Sequence, residues 1–261
     1  MDCQKILWIF DLDDTLFWNE RCFSRAFIAF YKYLESEVIR HRALPFAGRI
    51  ARQVETISQA MLEEVNPQTG EIYGVTIERF PTALTRCYEQ LCHQFRMQYD
   101  ESVARCVYNI GMRAFEPRYY RRLGLAPGAE ATLNALQEYG DALTLLTRGD
   151  PRCQAEKILA LQLNRWFGRN AIYIKMKKTP DVFNEISAQF STHIVVSVGN
   201  AYKWDVVPAL EANCFGIYIP GETWAGEEYD GPLAQTEKLF VVDEISDVVG
   251  TREIILARAN N

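Results

Sequence analysis

Ile6-Leu7-Trp8-Ile9-Phe10 is an unbroken apolar run that stops at the acidic segment Asp11-Leu12-Asp13-Asp14-Thr15. Its length and aromatic content predict a buried central strand of a parallel sheet, and open α/β sheets place their ligand crevices outside the carboxyl ends of such strands. From about Phe17 to about Phe115 the pattern changes to helical spacing. Phe23, Ala26, Phe27, Phe30, Tyr31 and Leu34 form one stripe, Leu84, Cys87, Tyr88, Leu91 and Phe95 another, and Asn66-Pro67-Gln68-Thr69-Gly70 is the clearest turn. Such aromatic stripes predict helix–helix core rather than a ligand box.

After Pro117 the pattern alternates. Helices are predicted at 129–139, 151–161, 180–190, 204–212 and 245–257, and strands at 142–146, 171–174, 193–198, 215–219 and, at an edge, 240–242. That alternation means parallel βαβ units. The predicted fold class is therefore α/β, a parallel sheet with helices on both faces, interrupted after its first strand by an all-helical block. The expected division is 1–16 with 119–261 for the sheet domain and 17–118 for a helical cap over an active site.

Composition narrows the partners. The chain has 261 residues, of which 48% are hydrophobic, enough for a sizeable core. A net charge of −6 argues against nucleic acid or an anionic membrane surface, which require a basic face. Arg118, Arg121 and Arg122 are the densest basic cluster and read as a solvated face. Seven cysteines without a CxxC pair suit a reduced, cytoplasmic setting. No signal-peptide pattern opens the chain, and no apolar run approaches the ~18 residues of a membrane span. His41, His93 and His193 lack metal-like spacing.

Candidate chemistry stands at the predicted carboxyl ends of four strands. Asp11 and Asp13, alternate residues after the first strand, can converge as nucleophile or metal ligand and as proton carrier. The competing reading is a helix cap, for which Asp13, Asp14 and Thr15 are all suitable. Thr147-Arg148-Gly149-Asp150 offers a hydroxyl and glycine-freed amides for a phosphate oxygen. Lys175, Lys177 and Lys178 offer an ammonium for an anion. Asn200 and Asp205, after Gly199, offer hard oxygens suited to Mg²⁺, although each can equally be a turn or capping residue.

In this order the segments resemble the haloacid dehalogenase-like hydrolase superfamily. Asp11-Leu12-Asp13-Asp14-Thr15 is similar to its first motif, Thr147 to its second, the lysine of Lys177-Lys178-Thr179-Pro180-Asp181-Val182-Phe183 to its third, and Gly199-Asn200 through Asp205 to its fourth. The resemblance implies a Rossmann-like sheet, a β-flap after the first strand and a cap of the first cap class. The chain departs from the pattern where Asn200 replaces a common aspartate and where spacing favours Lys178 in one alignment and Lys177 in another; Lys178 is chosen here.

What the resemblance implies is a Mg²⁺-dependent phosphatase acting on a small phosphorylated metabolite through an aspartyl-phosphate. Asp11 would be the nucleophile and Asp13 the acid and base. Thr147, Arg148 and Lys178 would bind the substrate, while Asp11, the Asp13 carbonyl, Asn200 and Asp205 would hold the metal. Hydrolytic dehalogenation, phosphoryl mutation and a binding protein on a retired hydrolase core are the alternatives. The acid at Asp13 favours phosphatase over dehalogenase, because an alkoxide leaving group needs a proton. The pattern specifies neither the physiological substrate nor the oligomeric state.

Overall fold

A computed structural model of the chain describes residues 4–39, 43–221, 229 and 231–260. Cys3 and His41 lie outside them. Contacts divide the chain into two compact units, Met1–Glu20 with Arg121–Asn261, and Arg21–Tyr120.

Strand β1, Ile6–Phe10, is buried along its whole length. The chain then enters helices α1 (Glu20–Tyr33), α2 (Ala47–Ala60), α3 (Arg79–Phe95), α4 (Glu101–Met112) and α5 (Pro117–Leu123). Within the helical unit the predicted stripe on α3 is core: Leu84, Cys87, Tyr88 and Leu91 are buried. Asp100 starts α4 by accepting from the Ser102 and Val103 amides, at 2.7 and 3.4 Å. The turn at Asn66 closes through Gly70 N to Asn66 O, 2.8 Å, with Gly70 at φ 74.

The rest of the chain alternates as the pattern predicts. It runs through α6 (Ala129–Glu138), β2 (Ala142–Arg148), α7 (Pro151–Ala160), β3 (Ile172–Lys175), α8 (Pro180–Ser187), β4 (Ile194–Gly199), α9 (Val207–Glu211), β5 (Phe215–Tyr218), β6 (Leu239–Val241) and α10 (Val248–Ala259). The described strands form one parallel, Rossmann-like sheet in the order β3-β2-β1-β4-β5-β6. Leu7, Ile9 and Leu146 pack on one face against Phe183 and Ile186 of α8 and Ala209 of α9. Alternate residues of β1 point to the opposite face.

Two elements depart from the expected bounds. Strand β2 continues two residues beyond 146, because Thr147 and Arg148 keep the ladder register with Ile174 and Lys175. The helix expected over 204–212 is a wide π-helical turn, Tyr202–Val206, followed by the short α9. Proline at Pro208 has no N–H to give a regular ladder.

At the amino-terminal edge of the sheet Asp141 is buried and fully used. It accepts from the Ile6 amide at 3.1 Å, Trp8 Nε1 at 2.9 Å and Arg252 Nε and Nη2 at 2.8 and 3.0 Å. This group ties β1 and the start of β2 to α10. Breaking a buried pair from one side leaves an uncompensated charge, so Arg252→Ala should lose about 3–5 kcal/mol of stability. Urea unfolding would check this, and a loss within ~0.5 kcal/mol would mean water replaces the guanidinium.

Candidate active site

The sheet order reverses at β1, with β2 on one side and β4 on the other, which is where ligand crevices open in such sheets. Asp11 stands one residue past β1, and its amide donates to Val198 O at 2.9 Å, prolonging the β1–β4 ladder. The chain then turns sharply: Leu12 O accepts from both Leu16 N and Phe17 N at 3.0 Å, and Asp14 adopts φ 59. Asp14 takes the capping role, accepting from the Glu20 amide at 3.1 Å ahead of α1. Capping thus falls to Asp14, and Asp11, Asp13 and Thr15 have other partners.

Lys178, just before Pro180 opens α8, is buried and bridges two carboxylates. Its Nζ lies 2.5 Å from Asp11 Oδ1 and 2.6 Å from Asp205 Oδ1. Lys177 is exposed, and Lys175 pairs with Glu185 at 3.3 Å, so Lys178 is the lysine at this point. Burial works against the Lys178 ammonium, yet Asp11 and Asp205 together hold its pKa above the ordinary lysine value. At Asp11 burial is the stronger influence and pushes the carboxyl up to about 7, against the pull of Lys178.

Asn200 joins through Thr15. The Thr15 hydroxyl accepts from Asn200 N at 3.0 Å and lies 3.3 Å from Asn200 Oδ1 and 3.4 Å from Asp11 Oδ2. Asp205 is fixed from both sides of its own loop: its Oδ2 accepts from Ala201 N at 2.9 Å and its carbonyl from Ser197 Oγ at 2.8 Å. Gly199 makes room for this, since a Cβ there would overlap the Asp205 carboxylate. Gly199→Ala should therefore displace Asp205 and lower kcat/KM by about 10²-fold, the usual penalty for an ångström-scale misplacement. Steady-state kinetics with varied Mg²⁺ would check it, and parental values would show that Asp205 has room to spare.

Thr147 is fully buried in β2, and its hydroxyl has no hydrogen-bond partner among the described residues. An orphaned buried hydroxyl loses about 1–3 kcal/mol of hydration unless a partner arrives. The Arg148 guanidinium lies over the Trp204 ring, 4.5 Å from its centroid. Asp13 has a different lysine as partner. Its carboxylate is held by Lys157 Nζ, 2.8 Å from both oxygens, and by Gln154 Nε2 at 2.8 Å.

The structure thus brings Asp11, Lys178, Asn200 and Asp205 into one bonded network, ties Asp13 to Gln154 and Lys157 of α7 and leaves Thr147 in the adjoining strand. Thr15, Gln154, Lys157 and Ser197 bond to these candidate residues, a part the motif reading gave to none of them. Thr15 lay inside the first motif and was legible only as a cap. Two carboxylates and a neutral amide oxygen are a hard-oxygen set that fits Mg²⁺. Among the described residues no three His, Cys, Asp or Glu side chains cluster as a metal site, so a cation held here would need neutral oxygens as well.

No protein-family model matches the sequence, and no curated protein does. Solved structures do. A haloacid dehalogenase-like family hydrolase from Xanthomonas campestris is 20% identical, with a TM-score of 0.70 over 98% of both chains. A 2-haloacid dehalogenase from Pseudomonas syringae pv. tomato is 19% identical, with a TM-score of 0.57 over 98% of this chain and 99% of its own. A HAD-hydrolase from Bacillus subtilis, bound to magnesium, is 13% identical, with a TM-score of 0.59 over 96% of this chain and 100% of its own. Further matches carry phosphatase and phosphoglucomutase names. With a parallel sheet interrupted after β1 and acidic groups gathered at its switch point, the chain has the haloacid dehalogenase-like hydrolase fold.

Proposed function

We propose that the protein is a Mg²⁺-dependent phosphomonoester hydrolase that acts on a small phosphorylated metabolite through an aspartyl-phosphate. The observation that carries this reading is the Lys178 ammonium set between Asp11 and Asp205, with the unpartnered Thr147 hydroxyl near the carboxyl end of the adjoining strand β2. A cation and an orphaned hydroxyl donor suit the oxygens of a transferring phosphoryl group, and a carboxylate held by that cation suits attack on its phosphorus.

Asp11 attacks phosphorus in line; its oxygen–phosphorus bond forms as the bond to the leaving oxygen breaks. Asp13 gives that oxygen a proton, then takes one from the water that hydrolyses the acyl-phosphate. Lys178 fixes Asp11 Oδ1, 2.5 Å away, and compensates charge on the transferring group. Thr147, with Arg148 at the rim, binds phosphate oxygens. Mg²⁺, held by Asp11, the Asp13 carbonyl, Asn200 and Asp205, would neutralise the repulsion between a carboxylate nucleophile and an anionic ester.

An acid at Asp13 supports phosphatase over dehalogenase, since displacement of halide needs no proton. A helical insertion of about 100 residues, far longer than an ordinary connection, fits a small enclosed substrate. The cytoplasmic setting is part of the same proposal. The described cysteines, among them Cys22, Cys87, Cys92 and Cys214, are all free thiols. Among the described residues no helix is long and apolar enough to cross a membrane.

The test is phosphate release from a panel of sugar phosphates, nucleotides and phosphorylated acids, with Mg²⁺ and with EDTA. Metal-dependent release from at least one ester is expected. Halide release from a 2-haloacid, unaffected by EDTA and without any phosphate release from the panel, would replace this reading by dehalogenation.

A further inference from the structure

Asp11 and Asp13 come from one motif but have different cationic partners. The Lys178 ammonium is shared between Asp11 and Asp205, whereas Asp13 has a lysine of its own from another helix. Lys157 Nζ is 2.8 Å from each Asp13 oxygen, with the lysine side chain 4% exposed and the Asp13 side chain 23% exposed. Gln154, three residues earlier and on the same face of α7, donates from Nε2 to Asp13 Oδ2 at 2.8 Å and to Arg148 O at 3.0 Å. Oδ2 therefore accepts two bonds from α7 and Oδ1 only one, which leaves Oδ1 a lone pair on which to carry a proton.

The surroundings are built to keep this arrangement. Asp150 caps α7 through the Arg152 and Cys153 amides at 2.9 and 3.0 Å, and Pro151 sets its first turn. Gly149, at φ 145, leaves space that a Cβ would take from Gln154, 2.7 Å from Nε2. The bond from Gln154 to Arg148 O links Asp13 directly to the end of β2, beside Thr147. A buried pair of this kind does little for stability that two apolar side chains of similar size would not do. The lysine's placement against the second acid of the motif is better explained by what it does for that acid.

We propose that Lys157, assisted by Gln154, is a positioning residue that holds the Asp13 carboxylate in the one rotamer from which it serves the leaving oxygen. The inference rests on the reaction proposed above. Neither side chain touches the reacting atoms; both act through Asp13. Their loss should appear where proton delivery limits the rate, and substrate binding should be little affected.

Lys157→Met, Lys157→Arg and Gln154→Leu would be compared on an alkyl phosphate and on p-nitrophenyl phosphate, whose phenolate leaves with little protonation. Lys157→Met is expected to lower kcat about 10²-fold on the alkyl ester and under about tenfold on the aryl ester, with KM within about twofold, a loss of the size general acids contribute. Lys157→Arg should recover most of it. Gln154→Leu keeps the ion pair, so its folding does not depend on an unpaired buried charge, and it should show the same selectivity at about fivefold. Equal losses on both esters, or a rise in KM alone, would overturn the proposal. Crystal structures read the clamp independently of catalysis: the Asp13 carboxylate should leave the α7 side in Lys157→Met, and an unchanged rotamer would overturn the proposal. If the parent hydrolysed no ester, the proposed reaction would fall, and the rotamer comparison would still decide the clamp.

Discussion

Asp11→Asn is expected to abolish turnover, by roughly 10⁴-fold or more, a loss comparable to that of other essential members of a catalytic group. An amide oxygen in place of the carboxylate is a poor nucleophile and a weaker ligand. The fold should survive, because Lys178 keeps its second carboxylate, Asp205 Oδ1, at 2.6 Å and the Asp11 amide still donates to Val198 O. Circular dichroism and a thermal melt would establish the fold, and phosphate release the activity. Turnover within tenfold of the parent would remove Asp11 from the role of nucleophile.

Lys178→Met should be the most damaging substitution of all, in stability and in activity together. It leaves Asp11 and Asp205 facing each other without their shared ammonium in a buried crevice, with side chains 9% and 2% exposed. Removing one side of a buried ion pair usually destabilises by about 3–5 kcal/mol. Activity should fall with it, since no ammonium then fixes Asp11 and compensates charge on the transferring group. Mg²⁺ has a larger role in the variant, offsetting two carboxylates at once. The melting temperature should rise with added MgCl₂ by more in Lys178→Met than in the parent, by mass action on the folded state. A variant as stable as the parent, or one indifferent to Mg²⁺, would mean that Lys178 is not the counter-ion of this pair.

Much of the architecture was legible because apolar runs and periodicity are local. Strand β1 occupies the apolar run itself, and the alternation after Pro117 gave the parallel sheet. Boundaries shifted where polar side chains and a proline interrupt the pattern. Thr147 and Arg148 are polar, so the apolar signal of β2 ended at Leu146 although the ladder runs on to Arg148. The segment carrying Asp205 was read as regular helix, but it winds as a wide turn that presents the carboxylate to Ala201 N.

The candidate site was legible as strand ends and not as contacts. Spacing could not separate Lys177 from Lys178; burial does, because one is exposed and the other lies between two carboxylates. Lys157 and Gln154 left no signal, since α7 reads as an ordinary helix and the Lys157–Asp13 pair spans 144 residues of sequence. Only the folded βαβ connection brings α7 to the first motif.

The central claim is that Asp11 becomes phosphorylated during turnover, and the most direct test looks for that bond. The enzyme would be mixed with Mg²⁺ and the best ester from the panel, quenched in acid within the first turnover, and its peptides examined by mass spectrometry. A phosphoryl group on the peptide containing Asp11, formed as fast as the alcohol is released and absent from Asp11→Asn, is the predicted result. Release of alcohol and phosphate together at full rate, with no phosphoryl group on Asp11 at any time and an alkyl ester there after exposure to a 2-haloacid, would contradict the account.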